Sequence, residues 1–212
     1  EHLSAANGLA HAQAHDALSD VRATIALAAL IRNRQPRLWN FCLALRQKQA
    51  VLTEIGSDRP FIHVSAMYGA ERGGMAVVWP LAQHPTNRNE LIVWDLIHDP
   101  AELADLDTEQ IRLRLFSKTE DLPEGMTRLP IKSLAINKSP IVIGNLKVLT
   151  PAVIERWHID METIARHTET ARRLTPQLAS RMDEVYQRPR PQGPAPDVDG
   201  DLYGGFIGND DR

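Results

Sequence analysis

The sequence predicts an α+β fold in which a strand-rich centre lies between helical ends. Three observations predict it. Apolar residues recur at steps of three and four from Asp16 to about Asn33, which is the period of an amphipathic helix. Between residues 60 and 149, short apolar runs alternate with turn residues, as expected of β-strands. From Thr150 to Gln187 the helical period returns.

Bulk composition narrows the class of protein. The chain has 212 residues, of which 43% are hydrophobic, and this is enough for one or two packed domains. Its formal net charge of -3 excludes a basic field over the whole molecule. The single cysteine, Cys42, rules out an intrachain disulfide and fits a reducing, cytoplasmic compartment. Because no long apolar run and no charged-then-apolar leader occur, we expect no membrane partner and no secretory signal.

Charge is nevertheless uneven along the chain. Residues 32–59 carry six basic against two acidic side chains, and residues 128–147 carry four basic and no acidic ones. Residues 102–124 carry seven acids against three basic side chains, and residues 197–212 carry five acids and one Arg. Local basic patches of this kind attract phosphate groups, although an ordinary solvated surface has the same composition.

Local signals place the helices and strands in chain order. The first helix ends near Gln35, because Pro36 disfavours helical geometry at the residue before it. Asp107 and Gln110 form a capping box for a helix at 106–117. Further helices are predicted at 37–54 and, in two or three segments punctuated by Pro151 and Pro176, at 150–187. Strands are predicted at 60–67, 75–81, 91–97, 129–136 and 140–149, of which 91–97 is apolar enough to be buried on both faces.

Several aromatic and histidine side chains are interpreted as structural. Trp79 and Trp94 lie in apolar strands, so we expect them in the core. His63, between two apolar residues of a strand, is predicted to face solvent or to have a hydrogen-bond partner. His84, next to Pro85, is predicted to accept or donate a hydrogen bond within a loop.

One stripe of the first helix contains an acid among apolar residues. The stripe consists of Ala17, Asp20, Ala23, Leu27 and Ile31. An acid buried among apolar neighbours is costly unless something satisfies it. We therefore expect Asp20 to be paired, to bind a cation or to lie at the rim of a cleft.

His15 and Asp20 form an H-x4-D pair at the start of this helix. A carboxylate can hold one of two divalent cations in a phosphodiester-cleaving site. A histidine that titrates near neutrality can take the proton from the attacking water. The same spacing also fits a partial helix cap at His15 and a packed, hydrogen-bonded acid at Asp20. The pair by itself does not decide between these interpretations.

Longer segments resemble a known family of nucleases. The segment AHDALSDVRATIALAALI, residues 14–31, resembles the last motif of the DEDDh 3′–5′ exonucleases. The segments RQPRLWNF, HVSAMYGAERG, PLAQHPTNRN, AINKSPIV and LYGGF resemble successive parts of the bacterial exodeoxyribonuclease I family, in order and at similar spacing. This resemblance extends from Ala14 to Phe206. It implies hydrolysis of single-stranded DNA from its 3′ end to mononucleotides, with two Mg²⁺ ions, in DNA repair and recombination.

The resemblance also implies a division into parts. Residues 1–35 would be the end of a ribonuclease-H-like α/β exonuclease domain, and residues 36–187 an SH3-like β-barrel with added helices. Residues 188–200 would be a Pro-rich linker, and residues 201–212 the start of a C-terminal helical domain. The strand-rich centre predicted from periodicity agrees with a small barrel. The implied fold class is an α+β fold in which this barrel follows the last helix of the exonuclease domain.

Catalytic roles follow from the same resemblance. His15 would be the general base and Asp20 a metal-binding acid of the Mg²⁺ site. The family's other acids, a D-x-E pair and a further Asp, would lie upstream of Glu1. We therefore expect this chain alone to be inactive as a nuclease.

Contact residues also follow from the resemblance. Arg88 and Lys138 are candidates for contact with the DNA backbone, although each also fits an ordinary exposed cation. A second set of residues matches family positions that bind the C-terminal tail of the single-stranded-DNA-binding protein. One of them, Phe41, fits a helix-packing role equally well. This set consists of Phe41, Arg59, Pro60 and either Arg172 or Arg173.

Two other interpretations remain open. The chain could be a non-catalytic module that binds single-stranded DNA or a protein tail without cleaving anything. It could also be an α+β domain whose basic patches have no function. Salt-dependent binding to an unstructured oligonucleotide separates the last interpretation from the others, because phosphate contacts weaken steeply with salt.

Overall fold

The computed structural model of the chain describes residues 5–8 and 17–186. Helices and strands in this part follow one another as predicted, with helices at both ends and strands in the centre. The helices are α1 (Ala17–Arg34), α2 (Pro36–Ala44), α3 (Lys48–Ile55), α4 (Thr108–Phe116), α5 (Pro151–Arg156) and α6 (Met161–Tyr186). The strands are β1 (Phe61–Val64), β2 (Met75–Gln83), β3 (Glu90–Asp95), β4 (Ile131–Ala135) and β5 (Ile141–Ile143). None of the helices in the described ranges is long and apolar enough to cross a membrane.

The five strands form one antiparallel sheet in the order β4-β3-β2-β1-β5. Strands β1 to β4 follow each other as a meander, and β5 returns to pair with β1 on the other side. Trp79 lies opposite Trp94 in the β2–β3 pair, and the register shifts between Pro80 and Ala82. Such a bulge bends the strand that contains it. The arrangement confirms the α+β class.

Each face of the sheet is covered by its own core. In β3, Ile92 and Trp94 belong to one core and Val93 belongs to the other, because successive side chains of a strand point to opposite faces. The first core is completed by α4 and α6, and the second by residues of the α2–α3 segment. The prediction that this strand is buried on both faces is therefore confirmed.

The prediction of one helix at 37–54 is wrong in one respect. This segment forms two helices, α2 and α3, with a turn at residues 45–47 between them. The turn lets Leu45, Val51 and Ile55 all enter the second core. On one continuous helix, Leu45 would point about 120° away from Val51. Burial of all three side chains therefore favours the break.

Two predicted strands are shorter than expected because side chains turn the backbone. After Val64, the Ser65 hydroxyl accepts a hydrogen bond from Met67 N (3.3 Å) and starts a tight turn. After Ile143, the Asn145 side chain accepts from Lys147 N (3.1 Å) in the same way. Short polar side chains compete with strand pairing by this mechanism.

The helix-boundary predictions are largely confirmed. The Asp107 carboxylate accepts from Gln110 N (2.8 Å), and Asp107 N donates to the Gln110 side chain (2.9 Å), which is a complete capping box. Pro151 starts α5, as predicted. Pro176, however, lies inside α6 without ending it. Buried Ala171 and Leu178 hold α6 on the first core on either side of this proline.

The structural interpretation of the aromatic residues and His63 is confirmed. Trp79 and Trp94 are fully buried. His63 is buried too, and its Nδ1 lies 2.9 Å from the Tyr68 hydroxyl. Burial lowers the pKa of His63 to about 4.

Candidate nucleic-acid interface

Asp20 lies in the first turn of α1 and is exposed, whereas His15 and Asp16 lie outside the described residues. Of the stripe that contains Asp20, Ala23 is buried and Leu27 is half-buried. Since Asp20 faces solvent, the described part of the chain imposes no burial cost on its carboxylate.

A single carboxylate does not make a divalent-cation site, because such ions take several oxygen ligands. Within residues 5–8 and 17–186, no three His, Cys, Asp or Glu side chains come together in a way that could hold a metal ion. The described residues therefore do not by themselves fit a two-cation centre. No hydrolytic step follows from them alone.

The N-terminal half of α1 presents an uncovered apolar face. Leu18, Val21 and Ile25 are 56%, 54% and 63% exposed. Their spacing of three and four places them on one side of the helix. Such a face normally packs against another part of a protein.

Three segments that each carry a cation meet at one end of the sheet, and we call these cations, Lys48, Arg88 and Lys138, the cation cluster. Lys48, the first residue of α3, donates from Nζ to Asn89 Oδ1 (2.8 Å) and to Arg88 O (3.5 Å). Asn89 O in turn accepts from Ile136 N (2.8 Å). The loop that contains Arg88 is thus bonded both to α3 and to the loop that contains Lys138.

The cation cluster is not neutralised by acids of the described chain. The side chains of Arg88 and Lys138 are exposed and make no hydrogen bond or ion pair with any described residue. Glu90 is the nearest acid in the sequence, and its carboxylate accepts from Asn87 Nδ2 (2.9 Å) and from the Ser133 hydroxyl (3.0 Å). Both donors are neutral, so Glu90 keeps its negative charge, and the three cations of the cluster still outnumber this one acid.

The loop before Arg88 is held in place by His84. His84 Nδ1 accepts from Asn87 N (3.2 Å) and from Thr86 N (3.3 Å), which confirms its predicted role as a hydrogen-bonding residue of the loop. The His84 ring packs edge-on against Tyr186 at the end of α6, with ring centroids 4.5 Å apart. These contacts fix the backbone from which the Arg88 side chain projects.

Arg59 has a structural role in the described chain. Its guanidinium donates from Nη2 to Thr53 O (3.0 Å) and Glu54 O (3.1 Å), and from Nε to Ile55 O (3.4 Å), so that it caps the C-terminus of α3. Gly144 lies against this cap, and a Cβ there would be 2.1 Å from Glu54 O. A side chain at this position would collide with the backbone of α3, which explains the glycine there.

Arg172 points toward the same region, since its Nε lies 3.7 Å from Asp58 Oδ2. Its guanidinium also lies over the Trp79 ring, 5.4 Å from the ring centroid. Arg173 is exposed, and on a helix it points about 100° away from Arg172. Pro60 is half-buried, and Phe41 packs against the second core. Contact of any of these residues with a protein tail remains a prediction.

Comparison with known proteins agrees with this geometry. Residues 46–188 match the family model of the exonuclease I SH3-like domain. The chain belongs to this family. The SH3-like fold predicted for the strand-rich centre is thereby confirmed, and the β5-β1-β2-β3-β4 order is the sheet of this domain.

Named members of the exonuclease I family match this chain over its whole length, whereas the chain matches only part of each relative. Exodeoxyribonuclease I of Escherichia coli K12 is 38% identical, over 100% of this chain and 44% of the relative. Exodeoxyribonuclease I of Haemophilus influenzae is 36% identical, over 100% of this chain and 45% of the relative. The chain therefore spans less than half the length of these relatives.

Solved structures of the family give the same result. E. coli exonuclease I in complex with a dA16 oligonucleotide has a TM-score of 0.85 at 37% identity, covering 99% of this chain and 45% of that one. The moderately thermophilic exonuclease I of Methylocaldum szegediense has a TM-score of 0.81 at 40% identity. The match covers 99% of this chain and 43% of that one. A further E. coli exonuclease I–ssDNA complex was determined in a zinc-bound form.

Sequence reasoning missed Lys48 as a member of the candidate interface. Lys48 lies in the basic stretch at 32–59, but 40 residues separate it from Arg88. Only the pairing of β3 with β4 and the position of α3 bring the three cations to one place. The basic composition of residues 32–59 indicated a positive surface, but composition does not single out Lys48.

Proposed function

We propose that this chain is part of a 3′–5′ exodeoxyribonuclease acting on single-stranded DNA, and that the cation cluster holds the DNA backbone. The observation on which this proposal depends is that the segments carrying Lys48, Arg88 and Lys138 are hydrogen-bonded to one another at one end of the sheet. Cations that replace the counterions of successive phosphates supply most of the affinity for single strands. The complexes of E. coli exonuclease I with dA16 and dT13 support this choice of ligand.

The uncovered face of α1 supports the view that the chain is one part of a larger enzyme. In our proposal residues 1–35 belong to a ribonuclease-H-like exonuclease domain, and the rest of that domain covers Leu18, Val21 and Ile25. Residues 36–187 form the SH3-like domain with its helices. Residues 188–200 are a linker, and residues 201–212 begin a helical domain.

Catalysis in this proposal needs groups that the described residues do not gather. Asp20 would supply one carboxylate of a Mg²⁺ site, and His15 would accept the proton of the attacking water. The remaining acids come from outside this chain. The complete enzyme acts in DNA repair and recombination in the cytoplasm, and the chain alone is inactive.

A second proposed partner is the C-terminal tail of single-stranded-DNA-binding protein. In this proposal Phe41 and Pro60 contact its terminal aromatic ring, while Arg59 and Arg172 or Arg173 attract its carboxylates. The position of Arg172 beside Asp58, the residue before Arg59, favours Arg172 over Arg173. Substitution of Arg172 by Gln should weaken binding of an acidic, Phe-ended peptide, and Arg173→Gln is the matched control. Equal loss in the two variants would contradict the choice of Arg172.

The DNA-binding proposal is tested by the salt dependence of oligonucleotide binding. We expect labelled dT13 to bind the full chain with an affinity that falls steeply as salt rises. For single strands, each lost phosphate contact makes the negative slope of log K against log salt shallower by about 0.7. Arg88→Gln and Lys138→Gln should each show this change.

Lys118 offers a matched control, because it is an exposed lysine whose Nζ lies 3.4 Å from Glu120, remote in sequence from the cation cluster. Lys118→Gln should leave the slope unchanged. A wild-type chain that binds dT13 without salt dependence, or cluster variants that behave like Lys118→Gln, would overturn the proposal. The non-catalytic alternative predicts the same binding. It differs from our proposal in predicting no cleavage, so cleavage by the complete enzyme that Asp20→Ala abolishes would exclude it.

A further inference from the structure

An apolar cleft lies beside the cation cluster, between α3 and the sheet, and we call it the α3 cleft. It has a volume of about 220 Å³. Its walls are predominantly apolar and come from α3, β2, β3 and the loop after β4. They include Leu52, Ile55, Pro80, Leu91 and Ile136.

One end of the α3 cleft adjoins the cation cluster. Leu52 follows Lys48 by four residues, so that the two side chains lie on the same face of α3. Ile136, another wall residue, donates from its backbone N to Asn89 O, and the Asn89 side chain holds Lys48 Nζ. Asn89 therefore links Lys48 of the cation cluster to the backbone of one wall residue of the cleft.

The single acid that lines the cleft lies at its other end. Asp58 follows α3, whereas Lys48 begins it, and Asp58 is already within 3.7 Å of Arg172. Leu52 is 39% exposed, which leaves its apolar surface accessible to a ligand. The cleft is thus apolar in the middle and positive at one end.

We propose that the α3 cleft takes one nucleobase of the bound strand while the cation cluster takes the adjoining phosphate. This inference rests on the proposed binding of single-stranded DNA. An apolar cavity of about 150 Å³ holds benzene, so the volume of this cleft is sufficient for a base ring. Because apolar walls contact a ring without reading its hydrogen-bonding edge, the site accepts bases without strong sequence preference.

The positive end of the cleft distinguishes a nucleotide from a neutral apolar side chain. Lys48 is the residue that belongs to both halves of the site. It contributes a cation for the phosphate, and through Asn89 and the Arg88 carbonyl it holds the Arg88 loop against α3, one wall of the cleft. Lys48 is thus a binding residue that also positions the Arg88 loop.

The test compares dT13 with an oligonucleotide of equal length that contains only abasic sites. We expect the wild-type full chain to bind dT13 more tightly than the abasic strand. Leu52→Ser should weaken binding of dT13 by about fivefold and leave abasic binding unchanged, because only the base contacts the cleft. Leu113→Ser is the matched control, since Leu113 on α4 is 40% exposed and remote from the cleft.

The phosphate half of the inference has its own measurement. Lys48→Gln should make the negative slope of log K against log salt shallower by about 0.7 for both oligonucleotides, and Lys118→Gln should not. Circular dichroism and urea unfolding of each variant establish that it is folded.

Each outcome has a distinct meaning. Equal binding of dT13 and the abasic strand, or equal behaviour of Leu52→Ser and Leu113→Ser, would overturn the base site. An unchanged slope in Lys48→Gln would overturn the role of Lys48. Both results leave the proposed function intact as long as Arg88→Gln and Lys138→Gln still make the negative slope shallower. A wild-type chain without salt-dependent binding would instead overturn the proposed function itself.

Discussion

Trp79 on β2 donates a hydrogen bond from its indole Nε1 to the hydroxyl of Thr175 on α6, at 2.7 Å. The same hydroxyl donates to Ala171 O (2.8 Å), so that one side chain links the sheet to the last helix. Trp79 is fully buried, and no water reaches its N–H. The contact therefore replaces the hydrogen bonds that the indole and the hydroxyl make with water in the unfolded chain.

Thr175→Val should lower the free energy of unfolding by about 1–3 kcal/mol, because it leaves a buried indole N–H without an acceptor. Thr175→Ser keeps the hydroxyl and should lower the free energy of unfolding much less. Urea unfolding monitored by tryptophan fluorescence measures both. Equal stability of the two variants would show that the hydrogen bond contributes nothing.

Arg72 and Asp95 form a bidentate ion pair at the edge of the first core, with distances of 2.6 and 3.0 Å. Asp95 is 5% exposed, so its carboxylate depends on this partner. Arg72→Met should lower the free energy of unfolding by about 3 kcal/mol, since it leaves a buried charge unpaired. The double variant Arg72→Met with Asp95→Asn should recover part of this loss. Additive losses in the double variant would contradict the pairing.

Stability should depend on pH through His63. Burial lowers the pKa of His63 from 6.5 to about 4, so protonation favours the unfolded chain. Above pH 6.5 the group is neutral in both states and imposes no penalty. As the pH falls from 6.5 to about 4 the unfolded state takes up the proton, and the expected loss is about 3 kcal/mol.

His63→Gln, which does not titrate, should lack this part of the pH dependence. Chemical unfolding of both proteins between these pH values measures the difference. Parallel stability curves for the wild type and His63→Gln would show that His63 is not the titrating group.

The purified chain should release no mononucleotides from single-stranded DNA in the presence of Mg²⁺. The physical reason is that residues 5–8 and 17–186 bring together no set of acids able to hold a metal ion. Thin-layer chromatography of an end-labelled oligonucleotide measures the release. Mg²⁺-dependent release that Asp20→Ala abolishes would contradict this expectation, and release that survives Asp20→Ala would indicate a contaminating nuclease.

Interactions between residues close in the sequence were enough to predict several helices and strands. The capping box of Asp107 and Gln110 depends on residues three apart, and a helix start is decided at that range. The continuous apolar run of β3 identified a strand buried on both faces, and Trp79 and Trp94 were placed in the core by their neighbours. In each case the deciding interactions lie within a few residues or follow from hydrophobicity alone.

The tertiary structure decided the features that depend on distant segments. The break between α2 and α3 exists because Leu45, Val51 and Ile55 share one core, and helix propensity does not contain that information. Arg59 was assigned to a partner by resemblance, yet the fold uses its guanidinium to cap α3. Lys48, Arg88 and Lys138 belong to three segments of the sequence. They come to one end of the sheet only because antiparallel pairing places the start of β3 beside the end of β4, where α3 begins.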